Sequence, residues 1–369
     1  MKTPFTVGLL LIAGLCFSSC QKNDNNNETP DDDWPSDSIR VVRSDLNLPW
    51  EILWGKDDHI WMTERNGKIS KLNPETGATV FSYTINEVVA NGEGGLLGMV
   101  QHPDFNNNGY LYVVYNYNST AGYREKVVRL TAQNNTLTAP FTLIDTITAA
   151  NIHNGSRLLI ADDKLFITTG DASTGPRAQN TAMVNGKVLR LNLDGTVPGD
   201  NPIAGNPYWS LGHRNAQGLV MVNNKLYASE HGASTEDELN IIEKGRNYGW
   251  PVVEGPCNGS ETSFCNDNNV KGPIWSTGSV TLAVCGMDYY NNDRIAGWKN
   301  SLLLTTLKDA TLYRFTLSGD GNSVSTPQKY FAGTWGRLRD ICISPAGRVY
   351  LCTSNGGNSD KLVEISGLD

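Results

Sequence analysis

From about residue 40 onward the chain is built of short runs of β-branched and aromatic residues, each broken by Gly, Asn or Asp. WMTE, YVVY, FITT and VYLC are of this kind, and such runs form strands closed by tight turns. No segment keeps a helical period between caps, so low helix content is predicted. A unit of strand, turn and second strand recurs. Its first three copies are HIWMTERNGKISKLN from His59, YLYVVYNYNSTAGYREKVVRL from Tyr110 and KLFITTGD…GKVLRLNLDG from Lys164. Three more follow: KLYASEHGASTEDELNIIEKG from Lys225, SLLLTTLKDATLYRFTLSGDG from Ser301 and RVYLCTSNGGNSDKLVEI from Arg348. Their starts lie about 47 to 76 residues apart, and multi-stranded repeats of about 40 to 50 residues are propeller blades. Six units predict an all-β six-bladed β-propeller with four-stranded antiparallel blades over residues 40–369. Residues 40–53 should give an outer strand to the last blade before leading into the first, which protects the sheet edges there. In such a fold, loops from every blade meet at one end of a central channel.

The N-terminus follows another pattern. In MKTPFTVGLLLIAGLCFSSC one lysine precedes an apolar run too short to span a bilayer, so residues 1–19 read as a secretory signal. Its end resembles a bacterial lipoprotein box, with Cys20 acylated as the mature first residue; an ordinary signal cut nearby is the alternative. Residues 20–39 are polar, acidic and proline-punctuated and read as a solvated tether. The expectation is an exported protein held in the bacterial cell envelope by lipid on Cys20. Of the seven cysteines, five then stay in the folded domain. Cys257 and Cys265 are close enough in sequence to bridge in an oxidising envelope. Cys342 and Cys352 flank a hairpin turn diagonally and read as buried free thiols. Neither set has zinc-site spacing.

Charge changes the picture by exclusion. Thirty Lys+Arg against 38 Asp+Glu give a net charge of −8 with no basic block, which argues against nucleic acid as a partner. Against that acidic background, cations at strand ends stand out: Arg214 beside Asn215 and Gln217 in LGHRNAQGL, Lys308 in a strand-to-strand turn, and Arg337 and Arg339 on one strand face. Gathered at one channel mouth they would receive a multiply charged anion, since arginine binds carboxylates in bidentate fashion. Taken singly, each could instead satisfy a blade-edge carboxylate.

Seven motifs in order are GEGGLLGMVQHPDFNNNGYLYVVY, IHNGSRL, GKVLRLNLDGTVPGDNP, LGHRNAQGL, SEHGASTEDELNIIEKGRNYGWP, TTLKDATLYRF and GRLRDICISP. With them the chain resembles, over about residues 45–366, the soluble pyrroloquinoline-quinone (PQQ) dependent sugar dehydrogenases of the glucose/sorbosone dehydrogenase family. The resemblance implies a six-bladed propeller that oxidises aldose sugars at the anomeric carbon to aldonolactones. Hydride would pass to PQQ and electrons onward to an external, unidentified respiratory acceptor. It implies that His153 is the catalytic base, a role that suits an imidazole titrating near neutrality. It implies that Arg214 stabilises charge on the quinone. Glu93, His153, Arg214, Asn215, Gln217, Lys308, Arg337 and Arg339 would line the cofactor. Backbone carbonyls of Gly232 and Ala233 would hold a Ca²⁺ against the quinone, and Glu238 with the Tyr248 carbonyl a second, structural Ca²⁺. A homodimer is compatible with the sequence.

Departures from the family pattern are also visible. Ile152 stands before His153, where some members carry an acid that would tune the imidazole. His231 and Ala233 stand where the glucose-oxidising branch carries Gln and Pro, and His231 more resembles the broader aldose branch. Trp275 resembles an aromatic near the pocket. His102 and His213 are explained by packing or turn bonding, and His59 is expected to be exposed. Two other functions stay open: a propeller that binds glycans or proteins without catalysis, and a calcium-dependent lactonase, for which the Arg/Lys set would be misplaced.

Overall fold

Alternating buried and exposed positions close into six four-stranded antiparallel sheets in a computed structural model that describes Met1, residues 34–35 and residues 37–368. The expected signal, Cys20 and nearly all of the expected tether lie outside the described residues. The inner strands of blades I to VI are Pro49–Trp54, Leu96–Gln101, Gly155–Ala161, Ala216–Val222, Val284–Tyr290 and Leu338–Ile343. Each inner strand neighbours the next around a ring, and Pro49–Trp54 meets Leu338–Ile343 to close it. Blade VI takes its outer strand from the other end of the domain, since Ile39–Leu46 pairs antiparallel with Asp360–Ile365. Residues just after that strand enter blade I, as the sequence predicts. The described helices are short, among them Phe105–Asn108 and Thr262–Asp267.

Side-chain packing divides the same way. Six hydrophobic clusters form, essentially one for each junction between neighbouring blades. The blades are therefore held by burial of their faces against one another, the dominant favourable contribution to folding. Cys342 and Cys352 are buried free thiols in the cluster between blades VI and I, and Cys257 and Cys265 form a disulfide.

Crowding at the axis explains one feature that recurs six times. Every inner strand has a register shift near its start, at Pro49/Glu51, Leu96/Met99, Gly155/Leu158, Ala216/Gly218, Val284/Met287 and Leu338/Asp340. Bulges bend a strand and re-aim its side chains. Four of them carry a glycine with no room for a Cβ, at Gly98, Gly155, Gly218 and Gly286. A Cβ on Gly286 would lie 1.8 Å from Asp340 Oδ1, and one on Gly98 would lie 2.1 Å from the Ser156 carbonyl oxygen. All six bulges fall at the same end of the channel.

Below that end the wall is sealed by charge. Arg157 donates through one terminal nitrogen to Glu51 at 2.6 Å and to Asp340 at 3.0 Å, and it lies 4.3 Å from the ring centre of Trp50. Nearby, Glu125 is buried with Ser156 Oγ donating to it at 2.5 Å and Asn116 Nδ2 at 3.3 Å. Burial pushes its carboxyl from 4.5 up to about 8, and among the described residues no cation or further donor reaches its Oε1 to offset that. The folded chain thus holds a proton that the unfolded chain releases between those two values. Glu125 stabilises fully below about pH 4.5, and its contribution is lost as pH rises to about 8, by at most ~1.4 kcal/mol per pH unit. Glu125→Gln should therefore melt with wild type at pH 5 and above it at pH 8. Calorimetric melts at the two pH values check this, and equal melting points at pH 8 would contradict it.

Candidate active site

The bulged ends of the inner strands and the loops after each blade's second strand converge at one channel mouth. His153 lies just before the inner strand of blade III, in the left-handed region at φ 59°. Its backbone is held on both sides, the N–H donating to Glu93 Oε2 at 3.2 Å and the carbonyl accepting from Ala172 N at 3.0 Å. Strained backbone held by surrounding bonds is characteristic of functional positions.

The acid missing from position 152 is supplied from elsewhere. Asp171 Oδ1 lies 3.0 Å from His153 Nδ1 and accepts from Ser173 N at 2.8 Å, while Oδ2 accepts from Trp250 Nε1 at 2.8 Å. A carboxylate surrounded by donors only accepts, so the imidazole proton sits on Nδ1 and the Nε2 lone pair is left free. Asp171 belongs to a clamped segment. Arg177 donates to the Asp171 and Ala172 carbonyls, and Lys187 Nζ donates to the carbonyls of Arg177, Ala178 and Asn185. Burial lowers the Lys187 ammonium to about 7.

The expected cations face this pair. Arg214 lies 5.3 Å from the ring centre of Trp250, so one indole touches both the carboxylate beside His153 and the first cation. Glu230 fixes the Arg214–Asn215 backbone by accepting both N–H groups, and it is held in turn by His213 Nδ1 at 2.8 Å. Asn215 Oδ1 accepts from Gly155 N at 3.0 Å, tying blade IV to the His153 loop. Arg339 donates to Gln217 Oε1 at 2.7 Å. Lys308 lies exposed in the turn between Ser301–Thr306 and Leu312–Thr316, and Arg337 is exposed just before its strand rather than within it. Partial desolvation of its guanidinium, and next the Arg339 charge, lower the Arg337 pKa, so these two cations repel one another.

The chemistry of the donor set tests what belongs here. The donors Arg214 Nε, Asn215 Nδ2 and Arg339 Nε are buried without a hydrogen-bond partner, as is the ring nitrogen His231 Nε2. Each such donor costs about 1–3 kcal/mol if left unmet. Among the described residues Arg214, Lys308, Arg337 and Arg339 also form no ion pair, unlike blade-edge arginines such as Arg40 and Arg348 on Glu364. The residues fit an anion with several carboxylates. Neither the Gly232 nor the Ala233 carbonyl accepts a hydrogen bond among the described residues, which leaves both open to a cation. Among the described residues no group of three or more His, Cys, Asp or Glu side chains is arranged as a metal site. At the second expected calcium position Glu238 accepts from Gly255 N and Asn240 Nδ2, and burial with the nearby Glu230 charge pushes its carboxyl up to about 8. The neighbouring Glu236 Oε2 is buried without a partner, so an added cation is chemically compatible there.

Several side chains lie elsewhere than the sequence suggested, or were not singled out. Trp275 sits on the outermost strand of blade IV and packs 4.8 Å from Phe315, so the aromatic at the mouth is Trp250 instead. His59 is half-buried, its ring nitrogen 2.6 Å from the Asp57 carbonyl. His102 bonds its own turn and His213 is packed against Tyr248, as expected. Arg65, Asp171, Trp250 and Cys285 were missed. Arg65 donates to the carbonyls on either side of Glu93. A signal for two of them exists in the repeats: Arg65, Asp171, His231 and Lys308 each fall one or two residues after the second strand of their blade.

The fold and this mouth define an enzyme class. The chain belongs to the Glucose / Sorbosone dehydrogenase family, which matches residues 46–363. It is 31% identical to quinoprotein glucose dehydrogenase B of Acinetobacter calcoaceticus, over 87% of this chain and 86% of that protein. It is 30% identical to an aldose sugar dehydrogenase of Escherichia coli, over 89% of this chain and 92% of that one. The PQQ-bound aldose sugar dehydrogenase of Streptomyces coelicolor superposes with a TM-score of 0.77 at 30% identity, covering 89% of this chain and 98% of that chain.

Proposed function

We propose that this protein oxidises aldose sugars at the anomeric carbon with PQQ and Ca²⁺, releasing aldonolactones and passing electrons to an external acceptor. The observation that carries the reading is the set of unpartnered buried donors facing a histidine whose Nε2 lone pair is free. Arg214, Asn215, Gln217, Lys308, Arg337 and Arg339 would hold the cofactor's carboxylates, with Glu93 at its edge. The Gly232 and Ala233 carbonyls would hold Ca²⁺, and Glu238 with the Tyr248 carbonyl a second Ca²⁺. When bound, PQQ supplies a two-electron quinone and Ca²⁺ polarises it as a hydride acceptor.

The chain's own residues do the rest. His153 Nε2 would take the proton of the anomeric hydroxyl while the hydrogen on the anomeric carbon leaves with the C–H electron pair as hydride, the two electrons that the quinone would accept. Asp171 holds the resulting imidazolium. Arg214, aligned by Trp250 and Glu230, stabilises the negative charge that develops opposite the sugar. On the sequence reading, lipid on Cys20 would hold the enzyme at the envelope, within reach of a membrane respiratory carrier.

Purified apoprotein, incubated with PQQ and Ca²⁺ and assayed with an artificial dye across a panel of aldoses, tests the reading. Turnover should require PQQ, Ca²⁺ and sugar together. Failure to bind PQQ would overturn it, and turnover undiminished by calcium chelation would overturn the calcium assignment.

A further inference from the structure

The three free cysteines among the described residues differ in what they touch. Cys342 and Cys352 pack in an apolar cluster. Cys285, fully buried at the bulged start of blade V's inner strand, touches the cofactor-facing polar residues instead. Its Sγ lies 3.1 Å from an Arg339 terminal nitrogen and 3.3 Å from Gln217 Oε1, and that same nitrogen donates to Gln217 Oε1 at 2.7 Å. Three blades thus contribute one group each to a closed triangle.

We propose that Cys285 is a positioning residue: its thiol locks Arg339 and Gln217 in the geometry that receives a carboxylate of the cofactor, a role that rests on the PQQ reading above. A thiol can accept one hydrogen bond and donate another. Here it accepts from the Arg339 guanidinium and donates to the Gln217 amide oxygen. Burial raises the thiol pKa, so the donating proton is retained. The guanidinium is rigid and planar, so fixing one terminal nitrogen fixes the direction of Nε, the donor left without a protein partner. The thiol proton also fixes the Gln217 amide. A flipped amide would turn its NH₂ toward both the guanidinium and the thiol proton. Neighbouring backbone supports the arrangement, since Ser229 Oγ donates to the Cys285 carbonyl at 2.6 Å.

Removing the thiol's hydrogen bonds without removing its volume separates positioning from packing. PQQ affinity, read by quenching of tryptophan fluorescence, should weaken about tenfold in Cys285→Val. Cys285→Ala, which removes one sulfur atom's volume, should show a similar loss. Cys285→Ser, which restores a donor and an acceptor, should return to within about threefold of wild type. Equal affinity in all four proteins would overturn the proposal. So would a serine variant as weak as alanine, because volume alone would then explain the loss. If wild type does not bind PQQ, the functional reading falls and this role with it; if wild type binds and the variants match it, only this role falls.

Discussion

His153→Ala should lower kcat for aldose oxidation by about 10²- to 10⁴-fold in protein loaded with PQQ and Ca²⁺, the range a positioned general base supplies. The loss should appear in kcat, with PQQ affinity within about threefold of wild type. The reason is geometric: His153 is held through its backbone by Glu93 and Ala172, while the cations proposed to hold the carboxylates stand on other blades. Steady-state kinetics alongside a PQQ titration separates the two. A variant retaining kcat within tenfold of wild type would remove His153 from the role of base.

Asp171→Asn should cost nearly as much, about 10²- to 10⁴-fold in kcat, although it changes one atom. Asp171 accepts from Trp250 Nε1 on one oxygen and from Ser173 N on the other, which also faces His153 Nδ1. An amide has only one acceptor side. Turned one way, its NH₂ opposes the Trp250 N–H. Turned the other way, it faces Nδ1 and drives the imidazole proton to Nε2, occupying the lone pair that should take the substrate proton. Kinetics together with ¹⁵N chemical shifts of the His153 ring would show both the loss and its tautomeric cause. Activity within fivefold of wild type would mean that Asp171 does not orient the base.

These two residues mark how far the chain could be read. The propeller was legible because each blade repeats the same burial of β-branched and aromatic faces, and YVVY or FITT has little other way to fold. Arg214, Lys308 and Arg339 were legible because cations at strand ends in an acidic chain need a reason. Asp171 was not, since the family pattern places a tuning acid at position 152, next to His153. The fold instead brings the acid in from the loop after the blade's second strand, 18 residues later. The resemblance puts Trp275 near the pocket, but residues 251–280 form a long loop in which the family pattern gives no firm register. The chain turns out to place Trp250, before that loop, over Arg214. The six bulges left no mark in hydropathy, because each depends on how closely the inner strands approach one another at the axis. Cys285 was invisible for the same reason, since its partners are 68 and 54 residues away.

The most direct test is a single turnover without any dye. Protein carrying one PQQ per chain with Ca²⁺ would be mixed anaerobically with each of a panel of aldoses, and the quinone absorbance followed by stopped flow. Stoichiometric, sugar-dependent bleaching that is fast in wild type and slowed at least a hundredfold in His153→Ala is the predicted result. Tightly bound PQQ whose absorbance no aldose changes would contradict the assignment of this channel mouth as an aldose-oxidising site.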